Sequence, residues 1–348
     1  MKAPSALLEH RGSLRLDDYV VDLAWSTTGY RLVVAGGGGQ VCLVDFDAAQ
    51  RAEQPLRSRV LGEHGLGALA VAWQPQGSAF VSSGQDGRLL WWDAERGTRE
   101  AEQRPGMAWS TAIAFSADGK RLASIAGKQL RLWRAGLELE HAFAPLDSSL
   151  SGLGWDKPGR ELAVATNGGV AVYRLDAPRF TVRHYRWAAP CLLAAFSPNS
   201  RFLATGTQDG SVHFWHLGSG NDSQMRGYPA KVDVLSWSGD SRWLATPAGD
   251  QLVVWDFSGK GPEGSRPLQL AGHTDRIDCL AFQPAGSYLV SGGRDWRLSL
   301  WLPGKSTTAL DAQLTESEPA CLRWSPDSRF IAVGERGGTL SIYELVRL

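Results

Sequence analysis

"GHTDRIDCLAFQPAGSYLVSGGRDWRLSLW", Gly272 to Trp301, places a histidine, a serine and an aspartate in one short span. His273, Ser291 and Asp295 are the three residue types of a nucleophilic triad, so the span poses a choice between an active site and a structural device. The spacing decides it. From His273 the offsets to Ser291, Asp295 and Trp301 are 18, 22 and 28, and His64, Ser82, Asp86 and Trp92 repeat those offsets two hundred residues earlier. An enzyme has no use for a second copy of its nucleophile, whereas a repeated fold reuses its fasteners. Both serines also fall inside apolar runs that read as strands, not on the exposed strand-to-helix elbow that a nucleophile favours.

The repetition extends along the chain. "LAFQPAGSYLVSGGRDWRLSLWLP" at 280–303 has relatives such as "VAWQPQGSAFVSSGQDGRLLWWDA" at 71–94 and "AAFSPNSRFLATGTQDGSVHFWHL" at 194–217. The first aromatic of each unit is Trp25, Trp73, Phe115, Trp155, Phe196, Trp237, Phe282 or Trp324, at spacings of 48, 42, 40, 41, 41, 45 and 42. Self-similarity at this period marks a repeat architecture. Each unit reads as a strand ending at the aromatic, a turn such as "SADG" or "SPDS", an apolar strand, a Gly-containing turn and a third strand. A fourth strand, as in "SRVLGEH" or "PLQLAGH", precedes the next unit. No stretch sustains a 3.6-residue apolar period, so almost no helix is expected.

A four-stranded sheet of this size cannot bury both faces alone, and radial stacking solves the problem while leaving few open edges. The pattern resembles the WD40-repeat β-propeller family, through the Gly272–His273 pair, the Asp86–Gly87 and Asp209–Gly210 turns, and the endings Trp92–Asp93 and Trp255–Asp256. The resemblance implies an all-β chain: one closed propeller domain over residues 1–348, with four-stranded antiparallel blades. The units begin near 20, 68, 110, 150, 191, 232, 277 and 319. They make eight blades, against the seven more usual in the family. Residues 1–16, with "HRGSLRL", are expected to supply the outer strand that the last unit lacks.

The resemblance also implies that His64, Ser82, Asp86, Trp92 and His273, Ser291, Asp295, Trp301 form hydrogen-bonded networks that tie the strands of a blade. In the fifth unit Thr205, Asp209 and Trp215 are present, but Trp187 stands in the histidine's place, so an incomplete network is expected there. The other five units are expected to rely on packing.

Composition narrows the function. With 36 Lys plus Arg against 36 Asp plus Glu, no net basic charge points to nucleic acid. No apolar run is long enough for a signal peptide or a membrane span. Cys42, Cys191, Cys279 and Cys321 lie far apart without CxxC spacing, which reads as reduced cysteines of a cytoplasmic protein and not as a metal site or disulfide framework. "PGKSTT" at 303–308 lacks the leading glycine of a phosphate loop, and "GLGALA" at 65–70 opens a strand instead of a helix, so no nucleotide cofactor is expected. The expectation is a non-catalytic scaffold, monomeric until complexed, binding protein or peptide partners on a propeller face. The rival is an enzyme or small-molecule binder using the channel. Residues six before each aromatic would line its mouth: Tyr19, Gly67, Trp109, Ser149, Pro190, Lys231, Arg276 and Glu318. This set holds one carboxylate and no histidine, which disfavours hydrolysis and metal chemistry. The candidate partner surface combines Tyr19, Trp109, Lys231 and Arg276 with Arg294, Trp296 and Arg336, a cationic and aromatic set suited to an acidic or phosphorylated segment. Trp296 sits where most units have glycine, and either anchors a partner or folds over its own blade.

Overall fold

A computed structural model describes residues 7–48, 56–106, 109–176, 179–259 and 261–346. Its strands form eight four-stranded antiparallel sheets, the blades, and the one helical element is a 3-10 turn at Ala135–Leu137. In chain order the blades span 20–63, 68–103, 110–142, 150–186, 195–225, 236–271, 277–314 and 319–345. The eighth supplies three strands of its own. Its fourth is the N-terminal strand Leu8–Arg15, which pairs with Thr339–Leu345 from Leu8 opposite Leu345 to Arg15 opposite Thr339. A bulge at Gly12, with φ of 153°, absorbs one extra residue in that pairing. The first six residues of the expected closing segment lie outside the described residues.

Two compact units divide the chain. One comprises 1–38, 42–60 and 234–348, and carries blades six, seven and eight with most of blade one; the other, 39–41 and 61–233, carries blades two to five. In each, the core lies between neighbouring blades. Cys279, Val290, Leu298 and Leu300 of blade seven pack with Leu322, Ile331, Val333 and Tyr343 of blade eight and with Leu8 of the closing strand. Ile125, Leu130 and Leu132 of blade three pack with Leu162, Val164 and Tyr173 of blade four. A sheet sandwiched this way is apolar on both faces, which is why the second and third strands read as continuous apolar runs.

In most blades the turn after the first strand does more than set dihedrals, while blades two and seven have Gln74 and Gln283 in that place. The serine that follows the aromatic accepts the backbone N–H five residues on: Arg121 N to Ser116 Oγ is 3.1 Å, Phe202 N to Ser197 Oγ 3.0 Å, Trp243 N to Ser238 Oγ 2.8 Å and Phe330 N to Ser325 Oγ 2.9 Å. The same hydroxyl donates to the Asp or Asn two residues later, as from Ser116 to Asp118 at 2.6 Å and from Ser197 to Asn199 at 2.8 Å. Asp156 takes the serine's place in blade four and accepts from Glu161 N at 2.8 Å. One short side chain thus satisfies backbone that the turn leaves unpaired.

Candidate functional site

The two histidine networks come first, because their residue types raise the question of catalysis. In blade two, Trp92 Nε1–H donates to Ser82 Oγ at 2.9 Å. Ser82 lies 2.9 Å from His64 Nε2, and His64 Nδ1 lies 3.0 Å from Asp86 Oδ1. A single chain of donors fits these contacts: Trp92 to Ser82, Ser82 to His64 Nε2, His64 Nδ1–H to Asp86. Asp86 also receives Gly65 N at 3.0 Å and Arg88 Nε at 2.6 Å. Blade seven repeats the set, with Trp301 to Ser291 at 2.8 Å, Ser291 to His273 Nε2 at 2.7 Å and His273 Nδ1 to Asp295 at 2.9 Å.

The serine–histidine–aspartate connectivity is that of a hydrolytic triad, yet the chemistry is blocked. Ser82 and Ser291 have no solvent exposure, so no substrate reaches either hydroxyl, and each oxygen already accepts an indole N–H. Burial lowers the pKa of His64, with Asp86 partly opposing it, so the ring is held neutral. Burial pushes the Asp86 carboxyl upward, but the hydrogen bonds from Arg88, Gly65 and His64 outweigh it and hold the group well below the usual carboxylate range. These are fasteners with every donor used.

The remaining blades depart from that plan in three ways. In blade five Trp187 stacks face to face on His213, centroids 3.8 Å apart, while Asp209 accepts from Thr207 and Ser211 instead of a histidine. Blade three keeps half a network, with Trp133 Nε1–H donating to Ser124 Oγ at 2.9 Å. Blade eight substitutes a carboxylate: Glu335, fully buried, accepts from Ser317 N at 2.7 Å and faces Ser341 Oγ at 3.3 Å. The expectation that five blades rely on packing alone therefore fails for blades three and eight. Blade three keeps the serine–tryptophan pair without the histidine, and blade eight buries a carboxylate in its place; each buried polar group must be satisfied there.

The partner-surface candidates divide between the units. Trp109, 54% exposed, and Lys231, 2.8 Å from Asp233, lie in the second. Tyr19, Arg276, Arg294, Trp296 and Arg336 lie in the first. There the three arginines converge on one nearly buried carboxylate. Arg276 Nε is 3.0 Å from Asp278 Oδ1, and Arg294 Nε and Arg336 Nη2 are 3.0 and 3.1 Å from Oδ2. Asp278 lies on the first strand of blade seven, where the residues offered to a partner gave no hint of it. Glu318 stands 3.4 Å from Arg336, so the three guanidiniums meet two carboxylates, and Asp275, which accepts the backbone Arg276 N–H at 2.6 Å, adds a third negative charge nearby. The cluster is charge-balanced, not a bare cationic patch.

Trp296 stands beside it at the turn before the third strand, 49% exposed, with φ of 61°. Its carbonyl accepts both Thr315 N at 2.9 Å and Thr315 Oγ1 at 3.0 Å, which pins the left-handed backbone that an indole-bearing residue adopts at a cost. Tyr19 is 45% exposed, and neither ring contacts another aromatic among the described residues. No group of three or more potential metal ligands occurs among the described residues. No helix there is long and apolar enough to cross a membrane.

This fold and these fasteners are those of a β-propeller built from WD40 repeats. Residues 55–93, 189–216, 264–301 and 305–344 match the family model "WD domain, G-beta repeat" of the WD40 repeats. Relatives include the B-type cell cycle switch protein ccs52A of Medicago truncatula, 25% identical over 264 residues, 73% of this chain and 54% of the relative. Protein FIZZY-RELATED 2 of Arabidopsis thaliana is 27% identical over 265 residues, 71% of this chain and 53% of its own. The WD repeat-containing protein slp1 of Schizosaccharomyces pombe is 27% identical over 251 residues, 67% and 49%. The chain thus spans about half the length of these three relatives. Among solved structures, the computationally designed Ika8 protein superposes with a TM-score of 0.76 over 97% of this chain and 99% of its own, at 19% identity, a likeness of fold.

Proposed function

We propose that the protein is a non-catalytic scaffold that holds protein or peptide partners. Its relatives carry the names of cell cycle switch and WD-repeat proteins, and the triad-like residues are sealed inside blades. The four cysteines, buried and unpaired, support a cytoplasmic setting. The observation that carries the reading is Trp296: a half-exposed indole held at an unfavourable backbone angle beside three arginines. Exposed aromatics flanked by arginine are the side chains that interfaces use as anchors. Arg294 offers more guanidinium N–H donors than its contact with Asp278 consumes, so an acidic or phosphorylated segment gains charge-assisted bonds there.

The test is the double variant Trp296→Ala, Arg294→Ala, followed by mass spectrometry of what co-purifies from the native organism and by thermal denaturation. The expected result is an unchanged melting temperature with loss of a partner. A stable variant that retains every partner overturns the surface. A destabilised one shows that Trp296 serves its own blade.

A further inference from the structure

We propose a second docking site, on the outer edge of blade four, for an acidic and extended segment of a partner protein. It rests on the scaffold reading above but uses a different surface. The stretch 157–186 carries Lys157, Arg160, Arg174, Arg179, Arg183 and Arg186 against Glu161 and Asp176, six charges against two in a chain whose total is zero. Arg174 is spent on Asp176, 2.8 Å away. Arg183 and Arg186 are not: no carboxylate lies within ion-pair distance of either among the described residues, and Arg183 donates only to the Tyr185 hydroxyl at 3.1 Å.

Both arginines sit on the outer strand Thr181–Arg186, which hydrogen-bonds only to Gly169–Arg174. Its other edge presents open N–H and C=O groups. Thr181 to His184 are all exposed, Val182 by 46%, while Tyr185 turns into the blade. Alternation places Val182, His184 and Arg186 on the face opposite Tyr185. Where the strand ends, a groove of about 590 Å³ opens, lined by Ser148, Asn167, His184 and Arg186 with Asp147 as its one carboxylate.

Charged outer strands also serve to keep edges from pairing, and charge of either sign does that. The outer strand of blade two achieves it with charges that answer one another, Arg99 lying 2.9 Å from Glu102. Blade four leaves Arg183 and Arg186 without an ion pair among the described residues. Arg183 stands beside Tyr185, with Glu161 acting on it only at longer range, and Arg186, on the opposite face, lines a groove of hydrogen-bonding groups. Backbone pairing supplies affinity to an added strand, and the arginines select its sign.

The test uses the full chain and a fluorescein-labelled, acetylated peptide of alternating valine and glutamate, titrated by fluorescence anisotropy. Saturable binding is expected. Arg183→Glu with Arg186→Glu should weaken it by about tenfold or more, as reversal of desolvated charge pairs does. Arg183→Lys with Arg186→Lys should retain most of it. N-methylation of alternate peptide residues should abolish it, which a purely electrostatic contact would not show. The Trp296→Ala, Arg294→Ala variant should bind the peptide normally, so loss of this site and loss of the Trp296 surface are read separately. The proposal is overturned by a wild-type protein that ignores the peptide, by an N-methylated peptide that binds equally well, or by peptide binding lost in the Trp296 variant alone. It is equally overturned if a short single-stranded RNA binds in the peptide's place and responds to Arg183 and Arg186; in that case the stripe reads nucleic acid.

Discussion

At the scale of single residues, the networks of blades two and seven should behave as buried polar groups whose partners cannot be replaced by water. Changing His273 or Asp295 to alanine should cost about 1–3 kcal/mol, read as a shift in the urea midpoint at constant slope. Gly293→Ala should act similarly without touching a network residue, since its Cβ would lie 2.8 Å from both His273 Nδ1 and Asp295 Oδ1. Acid should loosen blade two in two stages. His64 and Asp86 both have folded-state pKa values below their unfolded ones, so each contributes stability above its unfolded pKa and loses it as pH falls through the folded value. The loss therefore begins below about pH 6.5 for His64 and deepens below about pH 4 for Asp86. A Ser82→Ala protein whose pH profile matches the wild type would show that the network does not set this dependence.

Trp296 makes the opposite prediction. Replacing it with glycine, at ease with φ of 61°, should raise stability by about 0.5–1 kcal/mol and still abolish the partner contact. A destabilised Trp296→Gly would mean that the indole packs usefully where it stands. The fasteners were legible in the sequence because two copies at identical offsets exclude coincidence. Asp278 was not, since its three arginines come from two blades and occur once. The Trp187–His213 stack was half legible: the missing histidine was visible, but not that the third strand supplies another from the cross-strand side.

At the scale of strands, the first strands of blades five and six are shorter than their repeats imply. Only Ala195–Phe196 and Ser236–Trp237 are strand, against six residues in blades one to four and seven to eight. In blade five Thr205 Oγ1 donates to the Leu193 carbonyl at 2.5 Å, a side-chain bond just ahead of the short strand. Periodicity locates a strand but cannot show such a bond. The closing strand leads to a firm expectation. Deleting residues 1–16 removes Leu8, buried to 1%, from the blade seven–eight core and bares the edge of Thr339–Leu345. The truncated protein should melt lower and aggregate, seen by light scattering. Melting unchanged from the full chain would show that Leu8–Arg15 is dispensable.

At the scale of the whole chain, the four thiols should be silent in the native state. Burial pushes Cys42 and Cys191 up to about 11, Cys321 up to about 12 and Cys279 higher still, leaving almost no thiolate at neutral pH. A colorimetric thiol reagent should count none in the folded protein and all four after denaturation. A thiol reacting rapidly in the native state would reveal local opening at that blade.

The pairing of Leu8 with Leu345 also has a consequence in time. Leu8–Arg15 is made well before its partner Thr339–Leu345, so while the blades between them are synthesised it must remain unspent. Bringing together strands so distant in sequence carries a large loop-closure entropy, and contacts of that separation form slowly. Until these two strands join, two strand edges are open to any neighbouring chain that offers the same match.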